Sequence, residues 1–404
     1  MSTLARPNRL RNTAAYYLAF ISLGLVTAVL GPTLPGLAKN TGSTLGQISL
    51  LFTTRSFGYL LGSLQGGRLY DRLPGHGLMA GVIGLMALSL ASIPAAPWLW
   101  LVALLFLLLG FSEAGLDVGG NTLLMWLHGA QVGPFMNALH FFFGLGAFLS
   151  PVIVAQAIAL RGDFRWAYWA MALLVLPAAI FLLALPGPRG NGDEQVGRAK
   201  DLPWLLVGLI ALFYFLYVGA EVGFGGWIYT YGLERMESLP ALTGRSDNPA
   251  LAAYLNSAFW GALTVGRLVS VPLAARFRPK WILSSDLIGA LLSLSLLLGL
   301  PGSISGLWLG TIGLGFSLAS VFPTILSFAE RRIPITGRVT GLFFVGAGAG
   351  SMFLPWLMGQ LIEPSGAQAI IVTVLVDLLL ALLLFTQLMR FPPGAHAIQA
   401  AEGD

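Results

Sequence analysis

Two acidic side chains, Glu113 and Asp117, stand four residues apart in a long apolar stretch. If this stretch is a helix, both carboxylates lie on one face about a turn apart, and Asn121 continues that face. Two carboxylates this close in a low-dielectric medium favour the uptake of a proton or another cation. We therefore predict cation coupling at Asp117 and Glu113, with Asp117 carrying the ion, sodium or a proton. The alternative is an ion pair that only holds the helices together.

Arg55 is a third charged side chain within an apolar segment. It lies about eight residues into the predicted helix, on the order of 12 Å deep at 1.5 Å per residue. An ionisable residue at such depth costs a few kcal/mol unless it is paired. Glu113 and Asp117 are the predicted partners. Arg267 lies in the cytoplasmic half of a later apolar segment, where we expect it to reach the surface or pair with Glu330 and to act in gating.

Glu221 is surrounded by small residues and one large ring: Gly219, Gly223, Gly225, Gly226 and Trp227. A carboxylate that binds hydroxyl groups beside an aromatic face that covers apolar C–H groups is the combination that a sugar requires. We predict that Glu221 and Trp227 contact such a ligand. The alternative for Glu221 is an ion pair or hydrogen bond to a neighbouring helix.

Further polar and aromatic residues share faces at helical spacing. Asn137 and His140 are three apart, and Asn256 and Trp260 are four apart. Amides both donate and accept, which suits neighbouring hydroxyls. The predicted substrate contacts are Asn121, Asn137, His140, Glu221, Trp227, Asn256 and Trp260. The alternatives are a helix-to-helix hydrogen bond for His140 and core or interface packing for the two tryptophans.

The composition shows which environment these residues occupy. Of 404 residues, 56% are hydrophobic and only 10% are charged, whereas soluble domains carry about 25% charged residues. The surface must therefore face lipid. The net charge of +5 is consistent with basic cytoplasmic loops, so no nucleic-acid partner is predicted. The absence of cysteine excludes disulfides and thiolate metal sites.

Apolar stretches of about 20 residues, the length needed to cross a bilayer, recur along the whole chain. Numbered in order, the twelve predicted spans lie roughly at 13–38, 47–70, 77–94, 98–125, 132–160, 165–185, 203–231, 250–275, 281–300, 304–329, 337–362 and 368–390. A polar segment separates two sets of six. We thus predict an all-α membrane protein with an N-terminal bundle (1–185), a cytoplasmic linker (186–202) and a C-terminal bundle (203–404).

Basic residues set the predicted orientation. With the N-terminus inside, fifteen lysines and arginines fall on cytoplasmic segments and five on the opposite side. Because cytoplasmic loops carry the excess of Lys and Arg, both termini are predicted to be cytoplasmic. The short loops and lack of cysteine favour a bacterial inner membrane.

The two halves share an internal repeat. Residues of span 5 recur at equal offsets in span 11, where Gly133, Gly144, Gly146, Pro151 and Gln156 correspond to Gly337, Gly348, Gly350, Pro355 and Gln360. Gly110-Phe111-Ser112 in span 4 recurs as Gly315-Phe316-Ser317 in span 10, and Arg72 after span 2 matches Arg276 after span 8. A parallel duplication of six helices is the pattern of the two halves of major facilitator transporters.

Several motifs resemble that superfamily. The segment Gly66–Arg72 is similar to its signature loop, which implies gating roles for Asp71, Arg72 and Arg276. The stretches Asp117–Thr122, Asn137–Phe141 and Tyr217–Tyr231 resemble the branch of sodium-dependent glucose transporters and fucose permeases. Fucose permeases also use an acid on span 1, and this chain has none there.

The sequence therefore predicts a secondary transporter that takes up a monosaccharide such as glucose with sodium or a proton. No catalytic motif, cofactor or protein partner is predicted, and a monomer in lipid is expected. Two alternatives remain: a proton-coupled efflux antiporter for drugs or metabolites, and a membrane sensor that binds without transporting.

Overall fold

The computed structural model describes residues 8–188, 203–240, 242–333, 335 and 337–392. These residues form helices joined by short turns, with no strand among them. The first six spans are Arg9–Thr27 with Leu30–Thr41, then Leu50–Arg72, Gly75–Ser92, Leu99–His128, Gly133–Arg161 and Arg165–Leu183. The other six are Trp204–Ser238, Asn248–Arg276, Pro279–Gly299, Ile304–Leu318 with Val321–Glu330, Gly337–Ser365 and Gln368–Leu388.

The helices have the length and composition of membrane spans. Within the described ranges, 10 helices are long and apolar enough to cross a bilayer, or 11 when the bent pair of span 1 counts as one. The remaining segment is span 2, whose 23 residues include Thr53, Thr54, Arg55 and Ser56 and are therefore less apolar. The predicted fold class is confirmed: the chain is an all-α, multi-pass integral membrane protein.

The chain folds as two compact units. One comprises Met1–Asp193 with Gly244–Ser257, and the other comprises Glu194–Thr243 with Ala258–Asp404. The start of span 8 thus belongs to the first unit. Most of the predicted linker, residues 189–202, lies outside the described residues, so the predicted domain boundaries stay a prediction.

Many hydroxyl side chains within the spans are hydrogen bonded to their own helix. Ser and Thr hydroxyls donate to the carbonyl four residues earlier, as Thr13 does to Arg9 at 2.8 Å and Thr311 to Leu307 at 2.7 Å. No water is available in the bilayer core, so such bonds let hydroxyl groups occupy a span. At helix ends, Gly42 and Gly162 adopt φ values of 64° and 68°, which glycine accommodates without strain.

The repeated glycines are points of close helix contact. A Cβ on Gly146 of span 5 would lie 2.1 Å from the Ile21 carbonyl oxygen of span 1. A Cβ on its counterpart Gly350 of span 11 would lie 2.0 Å from the Phe215 carbonyl oxygen of span 7. Small residues at such positions let membrane helices pack backbone to backbone. The sequence repeat therefore marks equivalent contacts in the two units.

Span 1 is broken rather than continuous. Its two helices meet at an angle of 46° between Thr27 and Leu30. Pro32 has no N–H to donate to the carbonyl of Ala28, and Pro35 interrupts the second helix in the same way. The prediction of one unbroken helix over 13–38 was wrong at this point.

Span 7 is longer than predicted. It runs from Trp204 to Ser238, beyond the expected end near residue 231. Polar residues at a helix end can lie in the headgroup region, so Glu234 and Arg235 do not stop the helix. The polar loop before span 8 is correspondingly shorter.

Candidate functional site

The first polar cluster lies between spans 2 and 4 of the first unit. Arg55 donates from Nε to Oε2 of Glu113 at 2.7 Å and from Nη2 to Oε1 at 2.6 Å. The Glu113 side chain is 2% exposed and that of Arg55 14%. This two-pronged geometry is the strongest form of a carboxylate–arginine pair. Of the two predicted partners of Arg55, the structure selects Glu113.

The ion pair of Arg55 and Glu113 also binds the end of the first helix of span 1, at the break. Arg55 also donates from Nη1 to the carbonyl oxygen of Thr27 at 3.0 Å, and the Thr27 hydroxyl donates to Glu113 at 3.2 Å. Thr27 is the last residue before the break, where the regular helix bonding is interrupted. Glu113 and Arg55 therefore join spans 1, 2 and 4, and this geometry favours the alternative structural role of Glu113.

Asp117 has a different environment, although it lies only one turn from Glu113. Its carboxylate accepts a hydrogen bond from the Tyr59 hydroxyl on span 2 and one from Nδ2 of Asn121 at 2.8 Å. Within the described part of the chain, no lysine or arginine is within ion-pair distance of it. Its side chain is intermediate in exposure. Asp117 is thus hydrogen bonded but lacks a positive partner.

Tyr59 is a site residue that the sequence analysis missed. It follows Arg55 by four residues on span 2, just as Asp117 follows Glu113 by four on span 4. Because the two helices pack along each other, Arg55 meets Glu113 and Tyr59 meets Asp117. The equal spacing of the two pairs on neighbouring helices could have identified Tyr59 from the sequence.

The second polar cluster lies in the second unit, where spans 7 and 8 meet. Glu221 accepts a hydrogen bond from the Tyr217 hydroxyl of its own helix. Arg267 of span 8 approaches Glu221 with Nη2 at 3.5 Å from Oε1, a single and longer contact than that of Arg55. The predicted pairing of Arg267 with Glu330 is therefore corrected. Glu221 thus has an arginine of a neighbouring helix as a partner, and its contact with a substrate stays a prediction.

Trp260 completes this second cluster. It lies on the face of span 8 that also carries Thr264 and Arg267, and its ring packs on Gly225, one turn from Glu221 on span 7. The residue is 6% exposed, and its indole Nε1 has no hydrogen-bond acceptor among the described residues. A buried N–H without an acceptor costs free energy unless a ligand or water supplies one.

Two predicted contact residues are enclosed by packing. Trp227 is 0% exposed, and its Nε1 donates to the Pro355 carbonyl of span 11 at 2.9 Å. A Cβ on nearby Gly223 would meet the Met358 side chain at 2.6 Å, so the glycines bring span 11 up against span 7. Asn256 is also 0% exposed. Contact of Trp227 and Asn256 with a substrate stays a prediction, and neither side chain is exposed in this structure.

The remaining predicted contacts lie on span 5. Asn137 and His140 are exposed on a shared face, and the His140 ring lies edge-on to Phe20 of span 1 with 5.9 Å between centroids. Asn121, by contrast, donates hydrogen bonds from Nδ2 to the side chain and to the backbone carbonyl of Asp117. Contact of these three residues with a substrate stays a prediction.

The predicted gating residues mark equivalent helix ends. Arg72 is the last residue of span 2 and Arg276 the last residue of span 8. Asp71, Arg72 and Arg276 are all exposed. Their gating role stays a prediction. In the part of the chain that the structure describes, no group of three or more acidic or histidine side chains is arranged to hold a metal ion.

A known protein family and several known proteins are similar to this chain over most of its length. Residues 16–335 match the model of the Major Facilitator Superfamily. The sodium-dependent glucose transporter 1A of Mus musculus is 31% identical over 385 residues, covering 85% of this chain and 88% of that protein. The sodium-dependent glucose transporter 1 of Danio rerio is 30% identical over 390 residues. The chain spans only 63% of the length of that second relative.

Solved structures share the fold at low sequence identity. The nucleoside transporter NupG superposes with a TM-score of 0.72 at 15% identity, covering 95% of this chain and 98% of that one. A bacterial homolog of the human lysosomal transporter Spinster gives a TM-score of 0.70 at 13% identity, covering 96% and 98%. At these identities the likeness concerns the architecture alone.

Proposed function

We propose a specific transport function on one premise: the chain belongs to the major facilitator superfamily of membrane transporters. It is a transporter rather than an enzyme, and it is integral to a membrane. We propose that it takes up a monosaccharide such as glucose together with a cation, by alternating access between the two sides of the membrane. Inward transport follows from the proposed symport, because a cation that enters the cell down its gradient carries the sugar in the same direction.

The environment of Asp117 is the observation that carries cation coupling. Glu113 is already neutralised by Arg55, whereas Asp117 has two hydrogen-bond donors and no counter-charge among the described residues. A carboxylate in a membrane span is unfavourable without a cation. Binding of a proton or a sodium ion would supply that charge and make the conformational change depend on it. Sodium is favoured by the names of the relatives that this chain resembles.

The proposed sugar contacts come from two sets of residues. In the second unit, Glu221 and Arg267 offer charged acceptors and donors, and Trp260 offers an unused N–H beside an aromatic ring. In the first unit, Asn137 and His140 offer exposed polar groups on one helix face. Sugars are bound by such combinations of polar groups and rings. The names of the glucose transporter relatives support the same class of substrate.

Uptake of labelled glucose into proteoliposomes tests this proposal. Purified protein is reconstituted, and uptake is followed with an inward sodium gradient, an inward proton gradient, both or neither. We expect accumulation above the equilibrium level only when the coupling gradient is present. Empty liposomes and an excess of unlabelled glucose provide the controls.

Three other results would contradict the proposal in distinguishable ways. Equal uptake under all four conditions would indicate a uniporter and remove the coupling role of Asp117. Uptake driven only by an opposing proton gradient would indicate an antiporter. Glucose binding without any transport would indicate a sensor.

A further inference from the structure

A cavity of about 290 Å³ lies in the second unit, between spans 8, 9 and 10. It is separate in its lining from the Glu221 cluster, which contributes none of its residues. Its walls are mostly apolar, with three aromatic side chains, Phe277, Trp281 and Phe316, that are 53%, 62% and 45% exposed. Its volume is at the lower end of the range for small-molecule sites.

The polar side-chain groups on residues of this cavity are one carboxylate, three hydroxyls and the indole N–H of Trp281. Asp286 of span 9 accepts a hydrogen bond from the Ser320 hydroxyl of span 10. The Ser270 hydroxyl donates to the carbonyl of Arg267, and the Ser285 hydroxyl donates to that of Ile282, each at 2.8 Å. The hydrogen of every one of these hydroxyls is therefore already engaged. The cavity offers a ligand hydrogen-bond acceptors and no free hydroxyl hydrogen.

Asp286 has no basic partner among the residues that the structure describes. No lysine or arginine in the described ranges is within ion-pair distance of it, and Arg267, which borders this region, is directed to Glu221. Basic residues are present at the start of span 9, but Lys280 places its Nζ over the Trp281 ring at 5.1 Å from the centroid. Lys280 and Asp286 are six residues apart, about 9 Å along the helix. A carboxylate beside an apolar cavity is stabilised by a cation that enters it.

We propose that this cavity binds an organic ammonium ion, whose charged group meets Asp286 and whose apolar body lies against Phe277 and Phe316. A carboxylate with acceptor oxygens around it matches the N–H donors of an ammonium group. Aromatic faces attract the same positive charge through their quadrupole. Neither a neutral sugar nor an anion has this complementarity. The site is thus distinct in chemistry from the proposed sugar site.

Calorimetric titration of the purified protein tests the proposal with two matched probes. The probes are 2-phenylethylammonium and its neutral counterpart 2-phenylethanol, which share size and shape. We expect the ammonium ion to bind about tenfold or more tightly than the alcohol, because only the ion forms a charge-assisted hydrogen bond with Asp286. Equal binding of the two probes would overturn the proposal.

Variants then locate the binding. Asp286→Asn keeps the size of the side chain and an acceptor for Ser320, and we expect it to weaken ammonium binding about tenfold or more. Val269→Trp leaves Asp286 in place and adds a large ring to the cavity wall, and we expect the same loss. Asp377→Asn, which changes another span carboxylate of this unit, should bind as the parent does. Unfolding temperatures confirm that each variant is folded.

The remaining results overturn the inference. Undiminished binding in Asp286→Asn or in Val269→Trp would place the ammonium ion elsewhere. Competition by glucose would place it in the proposed sugar site. None of these measurements depends on transport, so a failure here leaves the proposed transport function untouched.

Discussion

At the scale of single residues, Glu113 and Asp117 show how neighbouring side chains give two carboxylates of one helix different properties. Glu113 is buried, bound twice by Arg55 and once by Thr27. Asp117, one turn away, is bound only by neutral donors from Tyr59 and Asn121. A paired, buried carboxylate is fixed in its charge state, whereas one with neutral donors can still exchange a cation. We therefore assign the proposed coupling role to Asp117 rather than to Glu113.

We expect Asp117→Asn to abolish gradient-driven accumulation of sugar while leaving sugar binding in place. Asparagine keeps the size and an acceptor oxygen but removes the charge that the coupling cation must meet. Accumulation under the coupling gradient and exchange of labelled for unlabelled glucose, measured in the same proteoliposomes, separate the two effects. Concentrative uptake by this variant would assign Asp117 a structural role and make Glu221 the next carboxylate to test.

Arg55→Met should destabilise the protein by about 3–5 kcal/mol, because it leaves the buried Glu113 carboxylate unpaired. The double variant Arg55→Met with Glu113→Met should lose less than the sum of the two single losses, since it leaves no uncompensated charge. Part of the loss should remain, because Arg55 also binds the Thr27 carbonyl. Unfolding in detergent measures the three free energies. Strictly additive losses would show that the pair contributes no coupling energy.

The sequence predicted only part of the polar cluster between spans 2 and 4. Helical spacing placed Glu113, Asp117 and Asn121 on one face, and the depth of Arg55 required a carboxylate. It could not decide between two carboxylates one turn apart, because that choice depends on how far span 2 is shifted along span 4. Nor could it foresee that Trp227 is enclosed. The same glycines that leave room for a ligand also leave room for span 11.

At the scale of helices, the glycines common to both halves carry the packing. Gly110 of span 4 and its counterpart Gly315 of span 10 meet the carbonyls of Arg55 and Phe259, at 1.9 and 2.4 Å from a built Cβ. These two carbonyls occupy equivalent positions on spans 2 and 8. The repeat thus predicted the pairing of spans as well as their number. It did not reveal the break in span 1, because Pro32 and Pro35 have no counterpart in that comparison, although their presence was a usable signal.

Two glycines of span 11 provide a matched test of this packing. A Cβ at Gly350 would meet the backbone of span 7 at 2.0 Å, whereas one at Gly348 would meet no atom within 4 Å. We expect Gly350→Ala to lower the unfolding temperature by several degrees, because the two backbones must separate. Gly348→Ala should leave it unchanged or raise it slightly, since alanine is the better helix former. Equal effects of the two substitutions would show that the contact is not a constraint on the fold.

At the scale of the whole molecule, the distribution of basic residues decides which side of the membrane each loop faces. The fifteen basic residues on one set of segments and the five on the other come from the sequence, and the helix order fixes which loops alternate. Successive loops alternate between the two sides of the membrane, and the excess of lysine and arginine predicts which side is cytoplasmic. Orientation matters for function, since it decides on which side of the membrane the predicted gating residues Asp71, Arg72 and Arg276 lie.

The absence of cysteine makes this orientation directly testable. Leu73 follows span 2 and is 47% exposed, and Ser305 lies at the start of span 10 and is also exposed. With a cytoplasmic N-terminus, the helix order puts Leu73 inside and Ser305 outside. A membrane-impermeant maleimide should therefore label Ser305→Cys in intact cells and Leu73→Cys only after the membrane is opened. The unmodified chain, which has no thiol, gives the background. Labelling with the opposite pattern would place the termini on the outer side and overturn the predicted orientation.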